Sequence, residues 1–193
     1  MKQNQYKEEN IGAIILAGGK SRRFGSDKAL YKFKGLPLIQ NVINVVNKVT
    51  KNIIIITNSP EKFDFLIYPK YRDLIPDCGS LGGIYTGLSY TGSQLNFVLA
   101  CDMPFISYEC LNYLVQHTTG TDITVPYHHN RLEPLCAVYS KSCLPFIKKQ
   151  LEKKEYQIFQ FYDKVRTKKI EIPFYHPRLF FNVNSRNDLL SLY

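Results

Sequence analysis

Short apolar runs alternate with amphipathic segments along this chain. The runs over residues 11–16, 53–56 and 96–101 are rich in β-branched and other apolar side chains, and they predict buried strands. After Pro37, apolar residues recur every three or four positions, which predicts an amphipathic helix between the first two runs. Strand–helix–strand order is typical of a parallel sheet that is covered on both faces, so the pattern predicts an α/β fold.

The same alternation continues to the end of the chain. Ser107 and Ser185 stand where helix N-caps are expected, and Asp188 would complete a capping box with Ser185. We therefore predict a single Rossmann-like, three-layer domain with a mostly parallel central sheet over residues 1–193, in which residues 1–10 form a flexible extension. Further helices are predicted over 81–88, 107–115, 142–151 and 156–165, and further strands over 122–126, 135–139 and 170–173.

Composition places the chain among globular proteins. Of its 193 residues, 45% are hydrophobic and 21% charged, which excludes a disordered tail or a fibrous repeat. The apolar runs fall short of the ~20 residues that span a bilayer, and the polar N-terminus resembles neither a secretory nor a transit signal. The five cysteines are odd in number and lack C-x-x-C spacing, so we expect buried thiols in a reducing cytoplasm, without disulfides or zinc.

The net charge points to anionic partners. Lys and Arg number 25 against 16 Asp and Glu, which gives a formal net charge of +9. A basic surface attracts nucleotides, phosphorylated small molecules and nucleic acids alike, so charge alone leaves these three classes open.

The loop after the first predicted strand has the composition of a phosphate-binding turn. Gly18 and Gly19 allow a sharp turn and a close approach of a ligand to the backbone. The loop is neither a Walker motif nor a G-x-G-x-x-G motif, and a solvated loop is the alternative interpretation. Lys28 is the strongest candidate for a polyphosphate, because a unit charge pair at ~4 Å is worth about 4 kcal/mol at an effective dielectric constant near 20. The cations of the loop are Lys20, Arg22, Arg23 and Lys28.

A single carboxylate follows the third predicted strand. Asp102 comes directly after the apolar run 96–101, where a buried carboxylate is costly unless it is paired or binds a cation. Mg²⁺ commonly takes one or two carboxylates together with substrate phosphates, and Asp102 fits that role. The alternative is an Asp that caps the turn before Pro104. Because both loops are predicted at neighbouring strand ends, we favour the metal.

At this point the residues resemble a known family. The sequence LAGGKSRRFGSDKAL is similar to the signature loop of molybdenum cofactor guanylyltransferases, which are related to nucleotidyltransferases that activate sugars and lipid precursors. The combination of this loop with the Cys-Asp-x-Pro and Asn-x-Asn segments is specific, whereas each part alone is not. The resemblance spans nearly the whole chain and continues through residues 35–39, Asp73 with 79–83, 101–104, 133–138 and 181–184.

The resemblance implies a cytoplasmic enzyme that binds Mg²⁺ and transfers GMP from GTP to the terminal phosphate of molybdopterin, with release of pyrophosphate. Molybdoenzyme-maturation proteins are the implied protein partners, and neither nucleic acid nor a membrane is expected. The implied catalytic residues are Lys28, Asp102 and Arg22, with Asp102 as the metal ligand. The implied nucleotide-binding residues are Leu16, Ala17, Gly18, Gly19, Lys28, Asn58, Asp73 and Asp102, and Asn182 and Asn184 are implied on the acceptor side.

Two positions depart from the family pattern in chemically relevant ways. Ser80 stands where the family has Pro, and Glu133 stands where it has His or Gln, which leaves the acceptor side open. Joint metal binding by His128 and His129 is not expected, because adjacent strand residues point in different directions. We interpret them as surface histidines, and contact with an anionic pterin phosphate is the alternative.

Two other functions stay open as alternatives. The first is the same chemistry with another base or acceptor, such as cytidylyl transfer. Gly18-Gly19 favours the guanylyl branch, since cytidylyl relatives tend to show Ala-Gly there. The second is a non-catalytic nucleotide- or nucleic-acid-binding protein, although no helix-turn-helix, RRM or KH signature appears.

Overall fold

The structure is a computed structural model that describes residues 11–18, 28–173 and 176–190. The extension predicted for residues 1–10 lies outside these ranges. Within them the α-helices are α1 (Leu38–Val46), α2 (Gly79–Tyr90), α3 (Tyr108–Gln116), α4 (Leu144–Glu152) and α5 (Arg186–Leu190). The strands are β1 (Ile11–Leu16), β2 (Lys32–Phe33), β3 (Leu36–Pro37), β4 (Ile53–Ile56), β5 (Lys70–Tyr71), β6 (Leu95–Ala100), β7 (Ile123–His128), β8 (Arg131–Leu132), β9 (Cys136–Ser140) and β10 (Thr167–Ile170).

One sheet organises the fold. Its strand order is β10-β7-β9-β6-β1-β4-β5, and β8 pairs with β7 beside this path. Strand β1 runs parallel to both β4 and β6, β5 runs parallel to β4, and β10 runs parallel to β7. Strand β9 runs antiparallel to β6 and to β7, so β6 and β7 point in the same direction. The prediction of a mostly parallel sheet is confirmed.

Two hydrophobic cores cover the two faces of this sheet. In β1, Ala13 and Ile15 face one core and Ile14 and Leu16 face the other, because successive strand side chains point to opposite faces. Most buried apolar residues of helices α1 and α3 belong to the first core, and those of α2 and α4 belong to the second. The predicted three-layer arrangement is therefore present.

Helix α2 lies unusually close to the central strand. A Cβ atom on Gly87 would lie 2.3 Å from Cγ2 of Ile14, so a larger residue would force the helix away from β1. This close contact holds the N-terminal end of α2 near the carboxyl end of β1, where the candidate site lies.

Several predicted elements differ from the observed ones. Helix α2 begins at Gly79 rather than at residue 81, and the predicted helix over 142–151 divides into a 3₁₀ turn and α4. The segment Ile158–Lys164 is a 3₁₀ helix that buries Phe161 and Tyr162. Its apolar residues have a spacing that also suits an α-helix, so the pattern did not distinguish the two helix types. The last strand lies at Thr167–Ile170 instead of 170–173, because two exposed lysines occupy this edge strand and hide its pattern.

None of the helices in the described ranges combines the length and the apolar character that a bilayer crossing requires.

Candidate active site

The two loops that carry the predicted chemistry start side by side. Leu16 pairs with Ala100 at the ends of β1 and β6, and the backbone N–H of Cys101 donates to the carbonyl oxygen of Leu16 at 3.1 Å. The first residues of the glycine turn and Asp102 therefore leave the sheet at the same edge. In parallel sheets, ligands bind beyond the carboxyl ends of the strands, and the candidate site lies at this edge.

A cavity of about 560 Å³ opens between the end of β1 and the N-terminal end of α2. Gly83 lets the helix approach, because a Cβ atom there would lie 3.1 Å from Cδ2 of Leu16. Five of the predicted nucleotide-binding residues line this cavity: Leu16, Ala17, Gly18, Asn58 and Asp73.

Asn58 and Asp73 hold each other at one wall of the cavity. The side-chain amide of Asn58 donates to Oδ2 of Asp73 at 2.8 Å, and the backbone N–H of Asp73 donates to Oδ1 of Asn58 at 3.1 Å. Burial raises the pKa of the Asp73 carboxyl above its usual value, while the Asn58 amide opposes this shift. The other carboxylate oxygen of Asp73 lies 3.8 Å from the position of a Cβ atom on Gly83, which also lines the cavity.

Lys28, Asp102 and Asn184 form a second polar group. The Lys28 ammonium makes an ion pair with Oδ2 of Asp102 and donates to Oδ1 of Asn184 at 3.3 Å. The side chain of Asp102 is 6% exposed and that of Lys28 is 23% exposed, so the pair is largely shielded from water. Three residues that are distant in sequence thus share one charge cluster.

The segment that carries the two predicted acceptor-side asparagines is anchored to the Asp102 loop. The backbone N–H of Val183 donates to the carbonyl oxygen of Asp102 at 2.9 Å. The Asn182 amide donates to the carbonyl oxygen of Phe180 at 3.2 Å, so it orders its own segment, whereas Asn184 joins Lys28 directly. The predicted capping box is also present, since Asp188 accepts from the N–H of Ser185 and donates its own N–H to the Ser185 hydroxyl.

Some predicted residues fall outside the described part of the chain. Gly19 and Arg22, with Lys20 and Arg23, lie within residues 19–27, where the structure describes no positions. The structure therefore brings Lys28, Asp102 and Asn184 together and places five others around the cavity, but it does not locate these four.

Sequence reasoning missed part of the cavity lining. Thr57, Ser59 and Lys62 follow β4 directly and line the cavity, and Asp77 reaches it from a left-handed backbone conformation with φ of 60°. The signal was available, because these residues follow the carboxyl end of a predicted parallel strand just as Gly18 does. Asp77 is exposed.

The donor set suits a cation that is held mainly by its substrate. Among the described residues, no group of three or more His, Cys, Asp or Glu side chains is arranged to hold a metal ion. A single carboxylate fits Mg²⁺, which keeps several water ligands and commonly bridges to substrate phosphates. Asp102 already attracts the Lys28 ammonium, so this position favours positive charge.

A cavity of nucleotide size beside a cation–carboxylate pair, at the carboxyl edge of a mostly parallel sheet, is the arrangement of a nucleotide-dependent transferase. Comparison with known proteins identifies the family of transferases to which the chain belongs. The chain belongs to the family described as the MobA-like NTP transferase domain, whose model matches residues 13–166. It is therefore a nucleotidyltransferase, as the resemblance implied.

Individual relatives agree with this family. A protein of Flavobacterium johnsoniae is 38% identical over 185 residues, which cover 95% of this chain and 97% of the relative. A protein of Natranaerobius thermophilus is 36% identical, with 94% of each chain covered. Both relatives carry the name "Probable molybdenum cofactor guanylyltransferase".

Solved structures are similar as well. The crystal structure of protein Aq1419 from Aquifex aeolicus is 33% identical with a TM-score of 0.78, and 91% of this chain and 94% of that chain are covered. Molybdopterin-guanine dinucleotide biosynthesis protein A from Archaeoglobus fulgidus is 24% identical with a TM-score of 0.80, over 93% and 95% of the two chains. The second likeness concerns the fold alone.

Proposed function

We propose that this enzyme transfers GMP from Mg²⁺-bound GTP to the terminal phosphate of molybdopterin and releases pyrophosphate. The observation that carries the proposal is the position of the cavity, which is lined by the Asn58–Asp73 pair and by the end of β1. This strand end lies beside the end of β6, where Asp102 forms its ion pair with Lys28. A nucleoside in the cavity would extend its phosphates toward the cation at the neighbouring strand end. The names of the relatives support the same acceptor and the same base.

The cavity wall formed by Asn58 and Asp73 favours guanine. The Watson–Crick edge of guanine offers two adjacent donors, the ring N1–H and the 2-amino group, and a carboxylate can accept from both. Asp73 provides such a carboxylate, and its hydrogen bonds with Asn58 fix its orientation. Cytosine offers a single donor group next to acceptors, so this wall would discriminate against it. We assign Asn58 and Asp73 to the nucleoside, and Leu16, Ala17 and Gly18 to the cavity wall behind it.

The phosphate side uses positive charge instead of a nucleophile. We assign Lys28 to the triphosphate, where its ammonium would neutralise charge that develops on the oxygens during transfer. We assign Asp102 as the Mg²⁺ ligand, and when bound the ion supplies further neutralisation of phosphate charge. Lys28 would then exchange part of its contact with Asp102 for the phosphates. Gly19 and Arg22 retain their predicted roles in the loop as proposals only.

The reaction itself balances without a covalent enzyme intermediate. An oxygen of the acceptor phosphate attacks the α-phosphorus of GTP, and the bond from that phosphorus to the β-bridging oxygen breaks in line. The bond electrons leave with pyrophosphate, and the acceptor keeps the new phosphoanhydride to GMP. Enzyme groups align the two phosphates and hold charge, which is the contribution expected of Lys28, Asp102 and Asn184.

The test is the nucleotide selectivity of pyrophosphate release. The full chain is incubated with molybdopterin, Mg²⁺ and GTP, CTP or ATP, and pyrophosphate is measured with and without the acceptor. We expect acceptor-dependent release with GTP and little with the other two. A preference for CTP would establish cytidylyl transfer instead, and no release with any nucleotide would indicate a non-catalytic binding protein.

A matched pair of variants ties the activity to the site. Asp102→Asn keeps the size of the side chain and removes its charge, so turnover should be lost while the fold is retained. Asp163→Asn makes the same change at an exposed position on the 3₁₀ segment Ile158–Lys164, and it should leave turnover unchanged. Full activity of Asp102→Asn would reject the metal assignment.

A further inference from the structure

A carboxylate–imidazole pair lies at the acceptor side of the sheet edge. His128 is the last residue of β7, and Glu133 follows β8 directly. Nε2 of His128 lies 2.8 Å from Oε1 of Glu133, and since an ionised carboxylate can only accept, the imidazole N–H donates. The His128 ring also stacks on Phe180, with ring centroids 5.1 Å apart and an interplanar angle of 21°.

The topology places this pair at the same edge as Asp102. Strand β7 points in the same direction as β6, and only β9 lies between them. Two strand spacings correspond to roughly 10 Å. The connection is direct, because the carbonyl oxygen of Leu135, two residues after Glu133, accepts from the N–H of Ala100 at the end of β6 at 3.0 Å.

A continuous segment links the pair to the charge cluster. The Phe180 ring stacks on the His128 ring, and the carbonyl oxygen of Phe180 accepts a hydrogen bond from the Asn182 amide. The next residue, Val183, donates its backbone N–H to the carbonyl oxygen of Asp102. The same segment ends at Asn184, which binds Lys28. The acceptor side of the site therefore has a cation at one end and an anion at the other.

The Glu133 carboxylate limits which ligand groups can bind at this end of the site. The side chains of His128 and Glu133 are 20% and 15% exposed, so both are partly shielded from water and the charge of the Glu133 carboxylate is weakly screened. Hydrogen bonds from the described residues to the Glu133 carboxylate involve Oε1, which leaves Oε2 able to accept. A carboxylate repels phosphate but accepts strongly from N–H groups, and charge-assisted hydrogen bonds are about twice as strong as neutral ones.

We propose that Glu133 is a specificity-determining residue that accepts hydrogen bonds from the N–H groups of the acceptor's heterocycle, with the His128–Phe180 stack as the adjoining aromatic wall. The inference rests on the proposed function, since it concerns the acceptor of that reaction. Glu133 directs the N–H-bearing ring of the acceptor to its own end and leaves the acceptor phosphate to Lys28. Acceptors with a phosphate but without ring N–H donors should therefore bind poorly.

The test compares two phosphorylated probes by isothermal titration with the full chain. The first, 6-hydroxymethylpterin monophosphate, has a ring with N–H donors, and the second, benzyl phosphate, has an aromatic ring without them. We expect the wild-type protein to bind the pterin probe at least about tenfold more tightly than benzyl phosphate. Glu133→Gln should remove most of this preference and leave the affinity for GTP unchanged. Glu152→Gln, at the exposed end of α4, is the matched control and should keep the preference.

The thermal midpoint separates recognition from a structural role. Gln and His are the residues that the family commonly has here, so Glu133→Gln and Glu133→His should both keep the wild-type Tm. An unchanged preference in Glu133→Gln overturns the inference, and so does weak binding of both probes by the wild type. If both variants lower the Tm, the pair is structural and the inference is also overturned. If the wild-type protein releases no pyrophosphate from GTP in the presence of the acceptor, in contrast, the proposed function itself is rejected.

Discussion

The ion pair between Lys28 and Asp102 should contribute measurably to the stability of the ligand-free protein. Lys28→Met removes the ammonium and leaves a carboxylate that is 6% exposed without its cation. Asp102→Asn leaves an ammonium that is 23% exposed and keeps its contact with Asn184. The first change should therefore cost more than the second, because the more deeply buried charge loses its partner.

The size of the coupling follows from charge and burial. Two unit charges in contact attract by about 4 kcal/mol at an effective dielectric constant near 20, and shielding the Asp102 carboxylate from water offsets a large part of this. Lys28 keeps some access to solvent, which weakens the pair further. We expect a coupling free energy of about 1–3 kcal/mol between the two side chains, in the range of directly interacting residues.

Urea unfolding of four proteins measures this coupling. The wild type, Lys28→Met, Asp102→Asn and the double variant are compared at neutral pH without ligand, and the double variant should be more stable than the sum of the single costs predicts. The m-values should agree, so that differences in midpoint report stability. If the single costs add to within about 0.5 kcal/mol, the pair is not formed in solution and the reasoning fails.

Three further outcomes follow from the structure. Burial raises the pKa of Asp73, so as the pH decreases the affinity for GTP should start to fall at a pH above the usual pKa range of an aspartate. Titration calorimetry across pH checks this, and Asp73→Asn should bind GTP weakly at every pH. Arg166 lowers the pKa of Asp122 through paired hydrogen bonds at 3.0 and 3.1 Å, so this carboxylate stabilises the fold above its unfolded pKa and loses that contribution as pH falls toward the folded pKa. Arg166→Met should therefore lower the Tm at pH 7 and have progressively less effect below about pH 4; an equal effect at both pH values would contradict this. Gly87→Ala would push a methyl group into β1 and should cost about 1–3 kcal/mol in urea unfolding, whereas Gly92→Ala, with open space around its Cα, should cost much less; equal costs would show that the helix can move away.

The sequence predicts the strands best where both faces are buried. Ile11–Leu16 and Ile53–Ile56 were predicted with their observed bounds, because central parallel strands consist of continuous apolar residues. The edge strand Thr167–Ile170 was predicted at the wrong position, because an edge strand tolerates exposed lysines that interrupt its apolar pattern. Local apolar pattern therefore locates the centre of the sheet, whereas its edge depends on contacts that are distant in sequence.

The site divides in the same way. Asp102 and Lys28 could be singled out from charge and strand-end position, and the structure pairs them across 74 positions of sequence. Asn184 joins Lys28 across 156 positions, which no local pattern indicates and only the resemblance implied. The contact between His128 and Glu133 depends on the path of the chain through β8, so it had to come from the structure.

The two departures from the family pattern should have unequal consequences. Ser80 lines the nucleoside cavity, where a hydroxyl adds a donor and an acceptor but no charge. Glu133 adds a full negative charge at the acceptor end, in surroundings that are largely shielded from water. A hydrogen bond to a charged group is about twice as strong as one to a neutral hydroxyl. Selectivity for the acceptor should therefore differ from that of relatives with Gln or His more than selectivity for the nucleotide does. Nucleotide selectivity of this enzyme is thus expected to match that of its family, whereas its acceptor selectivity is expected to differ and is the property to measure.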